Sequence, residues 1–127
     1  MIYQILSGLY ICNINDSYDK TIYDKYDIDM ILNCSTNLPF VEIDIEKVRI
    51  PISNINTIKV HKEKILNFIK DNYLEKNILI ISNEDFNIII CSLFIIKYGN
   101  ISIIDISNIL KMKHKNLIIN RNISELI

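Results

Sequence analysis

The chain has 127 residues, 50% of them hydrophobic and 23% charged, with a net charge of −1. That length suits one domain spanning 1–127 around a single core. The charge balance excludes a disordered tail and a strongly basic nucleic-acid binder, and a count of only two glycines and two prolines excludes a low-complexity linker or a turn-dense all-β chain.

Ile2 to Leu6 and Leu9 to Cys12 are short apolar runs around Ser7-Gly8, which predicts two strands and a turn. Asp16-Ser17 is placed to cap a short helix running through about Tyr26, with Ile22 and Tyr26 at helical spacing. Met30 to Cys34 is a compact apolar run of the kind found in buried central strands. Val41 to Ile52 alternates in places (Val41, Ile43, Ile45, then Val48, Ile50, Ile52) and reads as strand material ending around Pro51. From about Val60 to Lys76 the period lengthens: Ile65, Phe68, Ile69 and Tyr73 recur at three and four, with lysines opposite, which predicts an amphipathic helix. Ile78 to Ile81 is the most apolar strand candidate. The polar loop Ser82 to Asn87 comes after it, and a helix then runs to Tyr98 with Gly99 as its stop. Ser102 caps the next helix, to about Lys113, and a last turn covers Asn120 to Leu126. Strands alternating with helices predict an α/β fold: one domain with a central mixed sheet of about five strands flanked by helices.

Isoleucine fills roughly a quarter of the positions, far above ordinary usage, and alanine and tryptophan are absent. With asparagine and lysine also heavy, this bias suits AT-rich coding DNA, and it weakens propensity arguments because Ile stands where other chains carry Leu, Val or Ala. Cys12, Cys34 and Cys91 form no CxxC pair, so a reducing compartment is expected over a secreted disulfide framework. Met1-Ile2-Tyr3-Gln4 has no basic stretch leading into an apolar core, and so no signal-peptide pattern. The longest apolar run, Ile88 to Ile96, is far short of the ~20 residues a bilayer crossing needs. The expectation is a cytoplasmic protein that engages neither membrane nor nucleic acid.

In α/β sheets ligands gather beyond the carboxyl ends of strands, often at a helix N-terminus, so the Ile78–Ile81 strand and the loop after it are where chemistry belongs. Leu9-Tyr10-Ile11-Cys12-Asn13 with a short helix, Ile31-Leu32-Asn33-Cys34-Ser35, Arg49-Ile50-Pro51-Ile52, an amphipathic helix, this strand-loop-helix, and Ile101-Ser102-Ile103 opening a helix to Lys111-Met112-Lys113 occur in that order. The order resembles the catalytic domain of the dual-specificity protein tyrosine phosphatases over nearly the whole chain. The resemblance implies a signature HCxxGxSR after the strand. Its Cys attacks phosphorus as a thiolate, its Gly lets the backbone approach phosphate, its Arg forks onto the phosphate oxygens, and an Asp on a separate loop protonates the leaving oxygen.

Almost none of that signature stands here. With Ile78–Ile81 matched to the family strand, Ser82 falls at the nucleophile and Ile81 at the histidine, and the loop is about two residues shorter than the family's. With the helix matched through Lys97-Tyr98-Gly99 instead, Ile80 falls at the nucleophile and Phe86 at the arginine, which would bury Lys76 in the strand. In either register, Asn77 to Ile96 contains no His, Arg or Gly, and Cys91 lies inside the helix. After Arg49-Ile50-Pro51-Ile52 the family commonly places a residue and then Asp, whereas this chain has Ser53-Asn54, and Asn54 has no acidic proton. Glu84 and Asp85 complement the helix dipole themselves, and a phosphate dianion ~6 Å from one of them would be repelled by roughly 5 kcal/mol at an effective dielectric near 20.

The degenerate phosphate loop is therefore Ser82, Asn83, Glu84, Asp85, Phe86 and Asn87, and the degenerate general-acid position is Asn54. Ser82 has no neighbouring His to act as base and suits a helix cap better than a nucleophile. Phe86 suits a plug of a collapsed pocket better than an exposed anchor. Cys34 and Cys91 read as buried structural thiols, and His61 and His114 as helix-end residues. Lys111, Lys113, His114 and Lys115 read as a solvated helix end. No cluster has zinc-like spacing, and no cofactor is expected. The missing groups imply a pseudophosphatase that works by binding protein, with a kinase, a phosphatase, a phosphoprotein or a second copy of itself as partner through a surface other than the loop. A weak hydrolase using Ser82 and an unrelated α/β binding module are the alternatives. A viral source, with the virion or host cytoplasm as location, would suit the composition and the small size.

Overall fold

A computed structural model describes residues 1–114, 117 and 122–127. Five strands form one sheet: β1 (Ile2–Leu6), β2 (Leu9–Cys12), β3 (Met30–Cys34), β4 (Glu46–Arg49) and β5 (Ile78–Ser82), in the spatial order β1-β2-β5-β3-β4. β1 and β2 are antiparallel, and β2, β5, β3 and β4 run parallel. Four parallel strands therefore deliver their carboxyl ends, Cys12, Ser82, Cys34 and Arg49, to one edge of the sheet.

Both faces of the sheet are covered, which is why β2, β3 and β5 are buried along their whole length rather than alternating. On one face Leu9, Ile11, Met30, Leu32, Ile78 and Ile80 meet helices α2 (Ile55–Asn72), α3 (Phe86–Gly99) and α4 (Ile103–Lys113). On the other, Tyr10, Ile31, Leu79 and Ile81 meet the short helix α1 (Thr21–Lys25) and the segment around Ile28 and Val41. The mixed five-stranded sheet expected from the sequence is present, with helices on both sides.

Local boundaries differ from the sequence reading in four places. The strand expected over Val41 to Ile52 is confined to Glu46–Arg49, because Val41 turns into the α1-side core with Ile43 and Ile45 half-buried beside it. That alternation of apolar residues is a loop lying on a core, not a ladder. Helix α2 begins at Ile55, five residues earlier than its periodicity suggested, since Asn54 caps it by accepting from Thr57 N–H at 3.0 Å; His61 consequently sits within the helix. It ends at Asn72 rather than Lys76. Asp16-Ser17 opens only a single 3-10 turn (Asp16–Tyr18), after which extended Asp19 breaks the chain and accepts from Thr21 N–H at 3.0 Å to start α1. The left-handed residue that ends α3 is Asn100, at φ 53°, and not Gly99. Ser102 caps α4 as expected, accepting from Asp105 N–H at 3.3 Å. The expected last turn is observed at Ser124–Leu126, while its start at Asn120, and Lys115 of the basic helix end, lie outside the described residues.

Candidate functional site: the turn between β5 and α3

Ser82 is the last residue of β5 and pairs in register with Cys34 at the end of β3. Three residues, Asn83, Glu84 and Asp85, separate it from Phe86, the first residue of α3. Glu84 makes the tightest part of this turn at φ 48°, a left-handed conformation that costs a non-glycine residue about 1–2 kcal/mol. Asp85 occupies the N-cap position of α3, so a carboxylate lies at the positive end of the helix dipole. Phe86 does not face solvent. It is 2% exposed and belongs to the hydrophobic core, so it folds inward and is not an exposed anchor.

The first amides of α3 would be the anion-binding groups of such a turn, and the protein uses them itself. Phe86 N–H donates to Asn83 C=O at 3.3 Å and Asn87 N–H to Ser82 Oγ at 2.8 Å. Ile88 N–H donates to Asn87 Oδ1 at 2.9 Å, and Ile89 N–H to Asp85 C=O at 3.1 Å. The Ser82 hydroxyl thus acts as a cap, and is itself buried at 4% exposure.

Asn87 is the residue whose importance the sequence did not reveal. Buried at 5% exposure, its Nδ2 donates to Cys12 C=O at 3.0 Å and to Ile80 C=O at 3.3 Å. One side chain therefore ties the end of β2, the end of β5 and the start of α3 together. Its signal was a lone amide at the start of an otherwise apolar helix. Arg49 plays a comparable part at the end of β4: its guanidinium donates to Leu38 C=O at 2.7 Å and to Ser35 C=O and Oγ at 3.1 and 3.2 Å, and lies 5.0 Å from the Phe40 ring centre. Asn33 and Ser35 complete this network, so the one arginine at the carboxyl edge among the described residues is committed to holding the 35–40 loop. Asn54, reached from β4 and hence leaving the same edge, has its side chain committed to Thr57.

A cleft of about 180 Å³ opens beside the turn, lined by Tyr3, Cys12, Asn13, Glu84 and Asn87 among others, and no lysine, arginine or histidine side chain lines it among the described residues. Cys12 is the nearest thiol to this cleft, and burial, with Asp16 adding to it, pushes its pKa up to about 12. Burial likewise pushes Cys34 up to about 12 and raises Cys91 further, with Cys34 contributing. All three are free and buried thiols, protonated at neutral pH and so poor nucleophiles. Among the described residues no group of three His, Cys, Asp or Glu is placed to hold a metal.

No protein-family model and no curated protein matches the chain. Solved structures do. Human DUSP28 aligns with a TM-score of 0.80 at 11% identity, covering 98% of this chain and 88% of its own. DUSP15 aligns at 0.76 and 23% identity, covering 90% and 76%. This chain has the dual-specificity phosphatase fold. The human tyrosine phosphatase-like serine/threonine/tyrosine-interacting protein shares that fold with it, at a TM-score of 0.70 and 13% identity over 95% of this chain and 87% of that one. The β5–α3 turn of this chain is three residues long and acidic, with Phe86 buried at the helix start and Asn87 tied to Cys12 and Ile80.

Proposed function

We propose that the protein is a pseudophosphatase: it keeps the dual-specificity phosphatase fold, does not hydrolyse phosphoesters, and acts by binding protein as a scaffold, a competitor, or a regulatory or structural homodimer. The observation that carries this reading is the occupied helix N-terminus. Three successive amides of the first turn, from Phe86 to Ile88, already donate to Asn83, Ser82 and Asn87, so a phosphate there would have to displace the turn's own hydrogen bonds. It would do so beside two carboxylates and with no arginine in the turn. We assign Ser82 to the nucleophile position, Asn83 to Asn87 to a degenerate phosphate loop, and Asn54 to the lost general acid. The three-residue turn supports the shorter-loop register over the one that sets Ile80 there. The human protein of the same fold whose name describes it as phosphatase-like and interacting supports a binding role for this fold. Three free thiols suit a reducing compartment, such as the cytoplasm or, for a viral source, the host cytoplasm or virion.

The test is turnover of p-nitrophenyl phosphate by the wild type, by Ser82→Ala, and by the double reversion Ser82→Cys with Asn54→Asp. We expect none from any of them, because restoring thiol and acid leaves the turn without a phosphate-binding cation. Turnover by the wild type that Ser82→Ala abolishes would establish the hydrolase alternative. Saturable phosphopeptide binding altered by substituting Glu84 or Asp85 would likewise overturn the reading.

A further inference from the structure

The two faces of the molecule differ in charge far more than the net value of −1 suggests. From Asn13 to Glu46, the stretch that builds the α1 face and its loops, the chain carries eight acids and two lysines. Helices α2, α3 and α4, on the opposite face of the sheet, carry seven lysines and three acids. On the α1 face lies a groove of about 320 Å³ with a mixed lining: Ile28, Ile43, Ile45 and Tyr23 together with Asp24, Asp44 and Lys20. Asp24 and Asp44 are exposed and form no ion pair among the described residues. On the opposite face Val60 projects from α2 at 78% exposure. It is flanked by exposed Lys59 and, one turn on, exposed Lys64, which also form no ion pair among the described residues. Two exposed cations beside Val60 on one side are thus complementary in charge to a groove that two exposed carboxylates and one lysine line on the other, and one chain carries both halves.

We propose that the protein self-associates head to tail, the Val60 ridge of α2 in one copy seated in the Asp24–Asp44 groove of the next. This rests on the reading of the protein as one that acts by binding, and it names a second copy as the partner. Because ridge and groove lie on opposite faces of the same sheet, the contact is heterologous and leaves a free ridge and a free groove at the ends, so growth continues beyond two copies. Salt weakens it by screening the exposed charges.

Sedimentation velocity and light scattering of the full chain, at increasing protein concentration in low and in ~0.5 M salt, test this. The weight-average mass should climb with concentration past twice the chain's 14.9 kDa at low salt and fall back at high salt. The double variants Lys59→Glu with Lys64→Glu, and Asp24→Lys with Asp44→Lys, should each stay monomeric with an unchanged circular dichroism spectrum, and an equimolar mixture of the two should regain assembly. A monomer under all conditions, a species that stops at two copies, or assembly indifferent to the charge reversals would each overturn the proposal. None of these results depends on phosphatase assays, so this inference and the reading of the turn can fail separately.

Discussion

At the scale of single residues, the site is governed by short polar side chains that hold backbone in place. Asn87 satisfies two strand-end carbonyls and supplies the acceptor for its neighbour's amide, so removing it strands buried groups instead of merely deleting a contact. Asn87→Ala should lower unfolding stability by about 1–3 kcal/mol in urea denaturation, more than a surface Asn→Ala change would. That cost was not visible in the sequence, where an amide before Ile88 looks like the tail of a polar loop. The same holds for Asn54. By family resemblance it is a missing acid, and only the structure reveals that Asn is a good residue for the N-cap it fills. Arg49 is a longer example of the same kind: a cation at the carboxyl edge whose guanidinium holds the backbone of Leu38 and Ser35.

The elements were legible where burial enforces one pattern. β3 and β5 are buried throughout and apolar except for Asn33 and Ser82 because both of their faces are covered, and the order of strands and helices could be read from them and from the Ser102 cap. The boundaries set by the side-chain hydrogen bonds of Asn54 and Asp19 and by the left-handed backbone of Asn100 were not legible, since they act through geometry that hydropathy does not encode. The β1–β2 turn is a place where element packing leaves one residue type possible. Gly8 has φ 85°, and a Cβ there would sit 2.2 Å from the Tyr73 carbonyl oxygen, while its own carbonyl accepts from Ile78 N–H at 2.8 Å. Gly8→Ala should therefore destabilise the protein by at least ~1–3 kcal/mol through backbone strain alone, measured by thermal or urea unfolding, and should disturb the junction where α2 hands over to β5.

At the scale of the whole molecule, the buried thiols couple folding to alkaline pH. The pKa of Cys12 and of Cys34 is raised by burial from 9.0 to about 12, and that of Cys91 is raised as well. A thiol whose pKa is higher in the folded state adds stability below its unfolded pKa and loses it as pH rises toward the folded value, because the unfolded chain then releases protons the folded one retains. Stability should be flat in this respect below about pH 8 and decline between about 9 and 12, by up to ~1.4 kcal/mol per pH unit for each thiol. Urea midpoints across that range check the slope, and the Cys34→Ser variant, if folded, should flatten it. The three-residue turn carries a different kind of consequence. A side chain lost by one substitution can return by another, but a ring of backbone wide enough to surround an oxyanion cannot be made from a turn this short without inserted residues. Those residues would have to lever Phe86 out of the interior while keeping the strand and helix in register. Lengthening the turn, besides restoring lost side chains, is therefore the local change that an open cradle would require.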